Sequence, residues 1–184
     1  FFNLGGPHLA IYEKNNPNIL KHIENSIKKG EPFHYLFTGV VGCGKTHLAR
    51  KVTIVTSEMW EAVKVINFYK KYVSLMGSDY ADKWSGIKSL DNISKSECLV
   101  IDDLGDEKPS TEAARDYFAG FLESRYEYIC KNKNSRTIIT TNYNADKIKK
   151  AYGSRVYDRI QEHFVICKFK AESFRAKNRT VISQ

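Results

Sequence analysis

The sequence predicts an α/β fold: a parallel five-stranded sheet covered by helices on both faces. Three observations predict it. Short apolar runs alternate with longer stretches of helical spacing along the whole chain. The stretch YLFTGVVGCGKTHLARKV, Tyr35 to Val52, passes from a strand through a glycine-rich turn into a helix. The stretch CLVIDDLG is apolar until it ends in Asp102 and Asp103, as a strand buried on both faces reads.

The elements follow in order. Asn16 caps a helix with Pro17 at its first position, running to about Lys29 before Gly30. Phe33–Thr38 reads as a strand, Lys45 to about Ser57 as a helix, Ala62–Asn67 as a second strand and Phe68 to Met76 as a second helix. Glu97–Ile101 is the buried strand that delivers the aspartates. Ser110 caps a long helix to about Lys131, with Ala114, Tyr117, Phe118, Phe121, Leu122 and Tyr126 as its apolar stripe. Thr137–Thr140 is a strand, Ala145–Ala151 and Ser154–Glu162 are short helices, and Phe164–Phe169 is the last strand.

A chain of 184 residues with 42% hydrophobic and 12% aromatic content suits one buried domain, residues 1–184. Within it we expect a lead-in and helix over 1–32, a core over 33–170 and a basic tail over 171–184. No run approaches a membrane span, no leader pattern opens the chain, and its four cysteines form no CxxC pair. A cytoplasmic, reducing setting without a membrane partner is therefore expected. The start without methionine suggests a preceding N-terminal region. Net charge is +8, and residues 145–184 hold ten Lys/Arg against four Asp/Glu. That excess suits an anionic partner, nucleotide or nucleic acid, or simply a solubilising surface.

The glycine turn fits G-x-x-x-x-G-K-S/T at every fixed position: Gly39, Gly44, Lys45 and Thr46, with Gly42 between them. Glycines let backbone N–H groups turn inward onto phosphate oxygens, and the helix beginning at Lys45 aims its positive end at the same anion. Lys45 supplies a cation to the outer phosphates, and Thr46 offers a hydroxyl to Mg²⁺. Val40, Val41 and Cys43 fill the variable positions and His47 follows, so Gly39–His47 is the expected ATP/ADP cradle of a P-loop NTPase.

Asp102 then stands as a Mg²⁺ ligand, directly or through water, and Asp103 as the group that orients or deprotonates an attacking water. An ordinary turn after a strand is the alternative. In RTIITTNYN the strand ends in Thr140, Thr141 and Asn142, and Asn142 is the residue expected to hold the water near the γ-phosphate. Arg155 and Arg159 in YGSRVYDRI share a helix face. Either is a candidate arginine finger for a neighbouring subunit's nucleotide, an effect worth roughly 10³–10⁵ in rate in other P-loop NTPases. A salt-bridged face is the alternative, since Asp158 and Glu162 lie close by. Arg175 is placed to reach the phosphates of its own chain.

The set GVVGCGKTHLA, CLVIDDLGDE, SRYEYICKNKNSRTIITTNYN, GSRVYDRI and SFR, in that order, resembles the AAA+ ATPase domain of the DnaC/IstB family. The resemblance covers about Leu36 to Arg175. It implies Walker A at Gly39–Thr46, Walker B at Asp102 and Asp103, sensor 1 at Asn142, an arginine finger at Arg159 with Arg155 beside it, and sensor 2 at Arg175. It implies a homo-oligomer with a shared ATP site, little or no C-terminal lid, and a helicase-binding region that is not in this chain. It also implies a surface for single-stranded DNA on the helix after the second strand. There Tyr69, Lys70 and Lys71 interleave a ring with cations as base stacking and phosphate contact require, although Phe68, Tyr72 and Met76 also read as a core stripe.

The expected function is an ATP-hydrolysing switch that binds single-stranded DNA and assists loading of a replicative helicase. Three alternatives stand beside it. One is an ATPase helper of a transposase. Another is a small P-loop nucleotide kinase, which the paired aspartates and the TTN strand oppose because a kinase excludes water. The third is a nucleotide-dependent scaffold with little turnover.

Overall fold

The computed structural model describes residues 17–56, 61–64, 92–106 and 112–170. Five strands form one sheet: β1 (Phe33–Thr38), β2 (Glu61–Lys64), β3 (Cys98–Leu104), β4 (Arg136–Thr141) and β5 (Val165–Lys168). Their order is β2-β3-β4-β1-β5, and every pairing is parallel. The helices are α1 (Pro17–Lys28), α2 (Lys45–Thr56), α3 (Glu112–Lys131), α4 (Ala145–Tyr152) and α5 (Ser154–His163). No described helix is long and apolar enough to cross a membrane.

Side-chain alternation sorts each strand onto two cores. Tyr35, Phe37, Val100, Ile138 and Cys167 face one side, where they pack with Leu20 and Ile23 of α1 and Leu48, Ala49 and Val52 of α2. Leu36, Leu99, Ile101 and Ile139 face the other, against Phe118, Phe121, Leu122 and Ile129 of α3, Ile148 and Tyr152 of α4, and Val156 and Ile160 of α5. A strand buried on both faces has no polar side to spend, which is why the interior of β3 reads as continuous apolar sequence.

Two large polar side chains inside this frame, Tyr35 and Arg125, are satisfied locally. The Tyr35 phenol is fully buried, donates to Ser26 Oγ at 3.1 Å and meets His22 Nδ1 at 2.9 Å, which ties β1 to α1. Arg125 lies within the apolar stripe of α3 and is 1% exposed. Its guanidinium donates to Thr137 Oγ1 (2.8 and 3.0 Å), Ser94 O (3.0 Å), Arg136 O (2.9 Å) and Ser96 O. Burial pulls its pKa down to about 10, so it stays a cation at neutral pH. It pins α3 to the entries of β3 and β4 by filling carbonyls that would otherwise be stranded.

The strand alternation, the sheet and the helices follow the sequence reading, with one informative difference. β3 does not stop before its aspartates but runs through them to Leu104. Partners keep step from Cys98↔Arg136 to Ile101↔Ile139, then resume at Leu104↔Thr141. Two residues of β3, Asp102 and Asp103, thus stand opposite one residue of β4, Thr140. That is a β-bulge. The second-strand boundary at Asn67, the following helix and the helix caps at Asn16 and Ser110 lie outside the described residues.

Candidate functional site

The strand order places the C-terminal ends of β1, β4 and β3 side by side, and the loop from β1 to α2 closes over them. Ligands sit at this edge in open α/β sheets. The loop packs tightly at its start. A Cβ on Gly39, whose φ is +155°, would lie 2.9 Å from Phe169 O and 3.1 Å from Cys43 Sγ, so no side chain fits there. Cys43 is fully buried beneath the loop, whereas Val40 and Val41 are more than half exposed. His47 is exposed in the first turn of α2.

Lys45 is the electrostatic centre. It is 5% exposed, and its Nζ donates to Gly39 O and Val40 O at 2.9 Å each and to Asn142 Oδ1 at 2.8 Å. All three acceptors are neutral dipoles. Among the described residues no carboxylate pairs with this ammonium. Buried cations are normally paired with an anion. This one is held by those three dipoles and, at 3.6 Å, by Cys43 Sγ, at a helix N-terminus, itself an anion-attracting place.

Thr46, one residue on, donates its hydroxyl to Asp102 Oδ1 at 2.8 Å. Thr140 donates to the same oxygen at 2.7 Å, and its Oγ1 also accepts the Asp103 N–H at 2.9 Å. One buried hydroxyl therefore spans both sides of the bulge. Asp103 has a φ of +60°, the only positive value among the described non-glycine residues. Aspartate tolerates this left-handed region better than most residues, and such outliers concentrate at functional sites.

The donors around Asp102 suit Mg²⁺. Thr46 and Asp102 offer one hydroxyl and one carboxylate, hard oxygens of the kind this ion takes when phosphates and waters complete its shell. Among the described residues no group of three His, Cys, Asp or Glu side chains gathers to hold a metal alone.

Tyr143 locks the surrounding loops together. Its carbonyl accepts from Thr38 Oγ1 at 2.8 Å, its N–H donates to Thr141 Oγ1 at 3.0 Å, and its hydroxyl donates to Gly105 O at 2.8 Å. A Cβ on Gly105 (φ +104°) would fall 2.6–2.8 Å from the Tyr143 ring. The glycine of DDLG and the tyrosine of TTNY are thus one packed unit.

The two arginines lie apart from this cluster. Neither Arg155 nor Arg159 has a hydrogen bond or ion pair to the glycine loop. Arg155 Nε sits 3.3 Å and Arg159 Nη1 3.8 Å from the same oxygen, Oε1 of Glu123 on α3. Arg159 also stacks on the Tyr126 ring, 4.4 Å from its centroid, a contact worth about 0.5–2 kcal/mol. The expected ion-pair partners Asp158 and Glu162 are not the ones used; Glu123, from another helix, is.

The structure therefore brings together Lys45, Thr46, Asp102, Asp103 and Asn142, and sets Arg155 and Arg159 on a separate face. Tyr69, Lys70, Lys71 and Arg175 lie outside the described residues. Sequence reading passed over Thr140, Tyr143 and Glu123. The doubled threonine of TTN was the available signal for the first. Nothing in the sequence pointed to the third.

This fold and this cluster define an ATP-binding P-loop domain of the AAA+ class. Residues 33–181 match the model of the IstB-like ATP binding proteins, and the chain belongs to that family. Comparison with curated proteins by sequence finds no match. Among solved structures, the crystal structure of the DnaC helicase loader aligns with a TM-score of 0.64 at 24% identity, over 86% of this chain and 98% of that one. A DNA replication initiation factor aligns at 0.64 and 17% identity, over 86% of this chain and 47% of the other. Domain III of the Thermotoga maritima replication initiation protein DnaA aligns at 0.61 and 18% identity, over 90% and 64%. At these identities the likeness is one of fold.

Proposed function

We propose that the chain is an ATP-hydrolysing switch whose ATP sits at a subunit boundary, and that it holds single-stranded DNA while assisting the loading of a replicative helicase. The observation that carries the reading is the buried Lys45 ammonium, 2.8 Å from Asn142 Oδ1 and without a carboxylate among the described residues, beside the Thr46–Asp102 pair. A triphosphate supplies the missing negative charge. Gly39–His47 would wrap it, and Lys45 would turn from its dipoles to the outer phosphates. Asn142, released from Lys45, would orient the attacking water, and Asp103 would take its proton.

Thr46 and Asp102 would hold Mg²⁺, which neutralises charge on the phosphates when bound. Arginine from a neighbouring subunit would complete the site, and Arg175 would approach from its own chain. Tyr69, Lys70 and Lys71 are the proposed DNA contacts, and the basic excess of the C-terminal quarter supports an anionic partner. The proposed setting is cytoplasmic, within one domain spanning residues 1–184.

The family's IstB-like description favours a second reading, the same ATPase serving a transposase on duplex DNA. Capture by a replicative helicase or by a transposase separates the two. Family membership disfavours the small nucleotide kinase. The test of the switch is particle mass and single-stranded DNA affinity with a non-hydrolysable ATP analogue and with ADP. A larger, tighter-binding ATP state is expected; identical behaviour in both would refute it.

A further inference from the structure

Asn142 follows β4, and Asp103 stands near the end of β3. To act on one water the two must keep a fixed separation, and a misplacement of about 1 Å can cost roughly a hundredfold in rate. The neighbours of Asn142 on either side set that separation. Thr141 and Tyr143 both donate hydroxyl protons into the turn that follows Asp103. Thr141 Oγ1 donates to Leu104 O at 2.6 Å, and the Tyr143 hydroxyl donates to Gly105 O at 2.8 Å. The Tyr143 N–H donates to Thr141 Oγ1 at 3.0 Å, so the two bonds are linked through the peptide that joins Asn142 to Tyr143. On the other side the Tyr143 carbonyl accepts from Thr38 Oγ1 at 2.8 Å, at the last residue before the glycine loop. The Asp103 turn needs such bracing. Its backbone is left-handed at Asp103 (φ +60°) and again positive at Gly105 (φ +104°), and the Asp106 N–H closes it on Asp103 O at 3.0 Å. β3 ends at Leu104, and the Tyr143 phenol reaches one residue beyond it.

We propose that Tyr143 is a positioning residue for ATP hydrolysis: its hydroxyl on Gly105 O holds the Asp103 turn at the distance from Asn142 at which both reach one water. The inference rests on the hydrolysis reading above. It gives a residue outside the glycine loop and outside the aspartate pair a part in turnover and none in ATP binding. The phenol acts through Asn142 and Asp103, not on the nucleotide. Thr141 makes the parallel bond, but it is fully buried and also receives the Tyr143 N–H, so its removal strands a donor. Tyr143→Phe is the cleaner change: it keeps the ring against Gly105 and removes one hydroxyl.

The experiment uses the whole chain, with steady-state turnover for KM and kcat and single turnovers under excess protein so that slow variants are still read. Tyr143→Phe is expected to lower kcat about tenfold. Its KM and its MgATP affinity are expected to stay within about twofold of the wild type, the pattern of an interaction that matters only in the reaction step. In an Asn142→Ala chain, which has already lost the group that orients the water, the same change is expected to cost less than about twofold more, because residues acting on one water do not add. Melting temperature reads the structural part separately, and there Tyr143→Phe is expected to lower both backgrounds equally.

Wild-type turnover in Tyr143→Phe overturns the assignment. So does a loss that is repeated in full on Asn142→Ala, since the hydroxyl then acts on something other than the shared water. A fall in MgATP affinity that matches the fall in turnover also overturns it, and makes the hydroxyl a support of the nucleotide loop. A wild type that binds ATP without hydrolysing it refutes the hydrolysis reading itself, and needs no variant to show it.

Discussion

Replacing Thr140 by valine removes one hydroxyl and keeps the branched shape. In the native chain that hydroxyl donates to Asp102 Oδ1 at 2.7 Å and accepts the Asp103 N–H at 2.9 Å, with the residue fully buried. A hydrogen bond to a charged acceptor contributes about 1.5–3 kcal/mol, and an N–H stranded without a partner costs about 1–3 kcal/mol. Together Thr140→Val should lose about 2.5–6 kcal/mol. For a chain of this size that is a fall of roughly 5–25 °C in melting temperature. Thr140→Ser, which keeps the hydroxyl, should recover most of it.

Two assays report on it: thermal unfolding, and the Mg²⁺ dependence of nucleotide binding. The second reads whether Asp102 is still held in place when its neighbour is gone. A Thr140→Val chain that melts within 1 °C of the wild type and binds nucleotide with the same Mg²⁺ dependence would refute the reasoning that this hydroxyl organises the bulge.

Three further outcomes are expected. Gly105→Ala sets a Cβ 2.6–2.8 Å from the Tyr143 ring at a φ of +104°; it should cost more than about 2 kcal/mol, and adding Tyr143→Ala should return the steric part in the same melting assay. The His34 imidazole is held down to about 4 by burial first, then by the nearby Arg125 and His163 charges, and its Nδ1 is buried without a partner. Its folded pKa lies below the unfolded value of 6.5, so its contribution is fully present above pH 6.5 and is lost as pH falls towards 4, by up to about 3 kcal/mol. Urea unfolding at pH 7.5 and 4.5 should show a shallower loss for His34→Leu; equal losses would contradict the assignment. Arg125→Lys keeps the charge but not the fork that reaches Thr137 and the carbonyls of Ser94 and Arg136, so urea unfolding should show a loss of more than about 2 kcal/mol.

The fold was legible because its signals are local. A strand that is apolar on both faces, a glycine turn at a strand-to-helix junction and helices of 3.6-residue spacing each announce themselves within a dozen residues. β1 and the starts of α2, α4 and α5 fell where the sequence put them. The site was legible in part for the same reason: Lys45, Thr46 and the two aspartates sit in contiguous motifs.

What stayed hidden depends on register and on packing between distant segments. The bulge at Asp102 and Asp103 exists only relative to β4, and it carried β3 three residues beyond the expected end. Arg125 interrupts an apolar helix stripe, and its burial makes sense only once the carbonyls of the β3 and β4 entries surround it. The pairing of both arginines with Glu123 brings together residues 32 and 36 positions apart, and no spacing rule reaches that far.

The glycine turn, with Lys45 at its centre, is proposed as a triphosphate site. Calorimetric titration of MgATP into the wild-type chain and into Lys45→Ala tests it most directly. Saturable binding by the wild type is expected, with roughly a hundredfold or greater weakening in a Lys45→Ala chain that remains folded. Equal affinity in the two proteins, or no binding by the wild type, would contradict it.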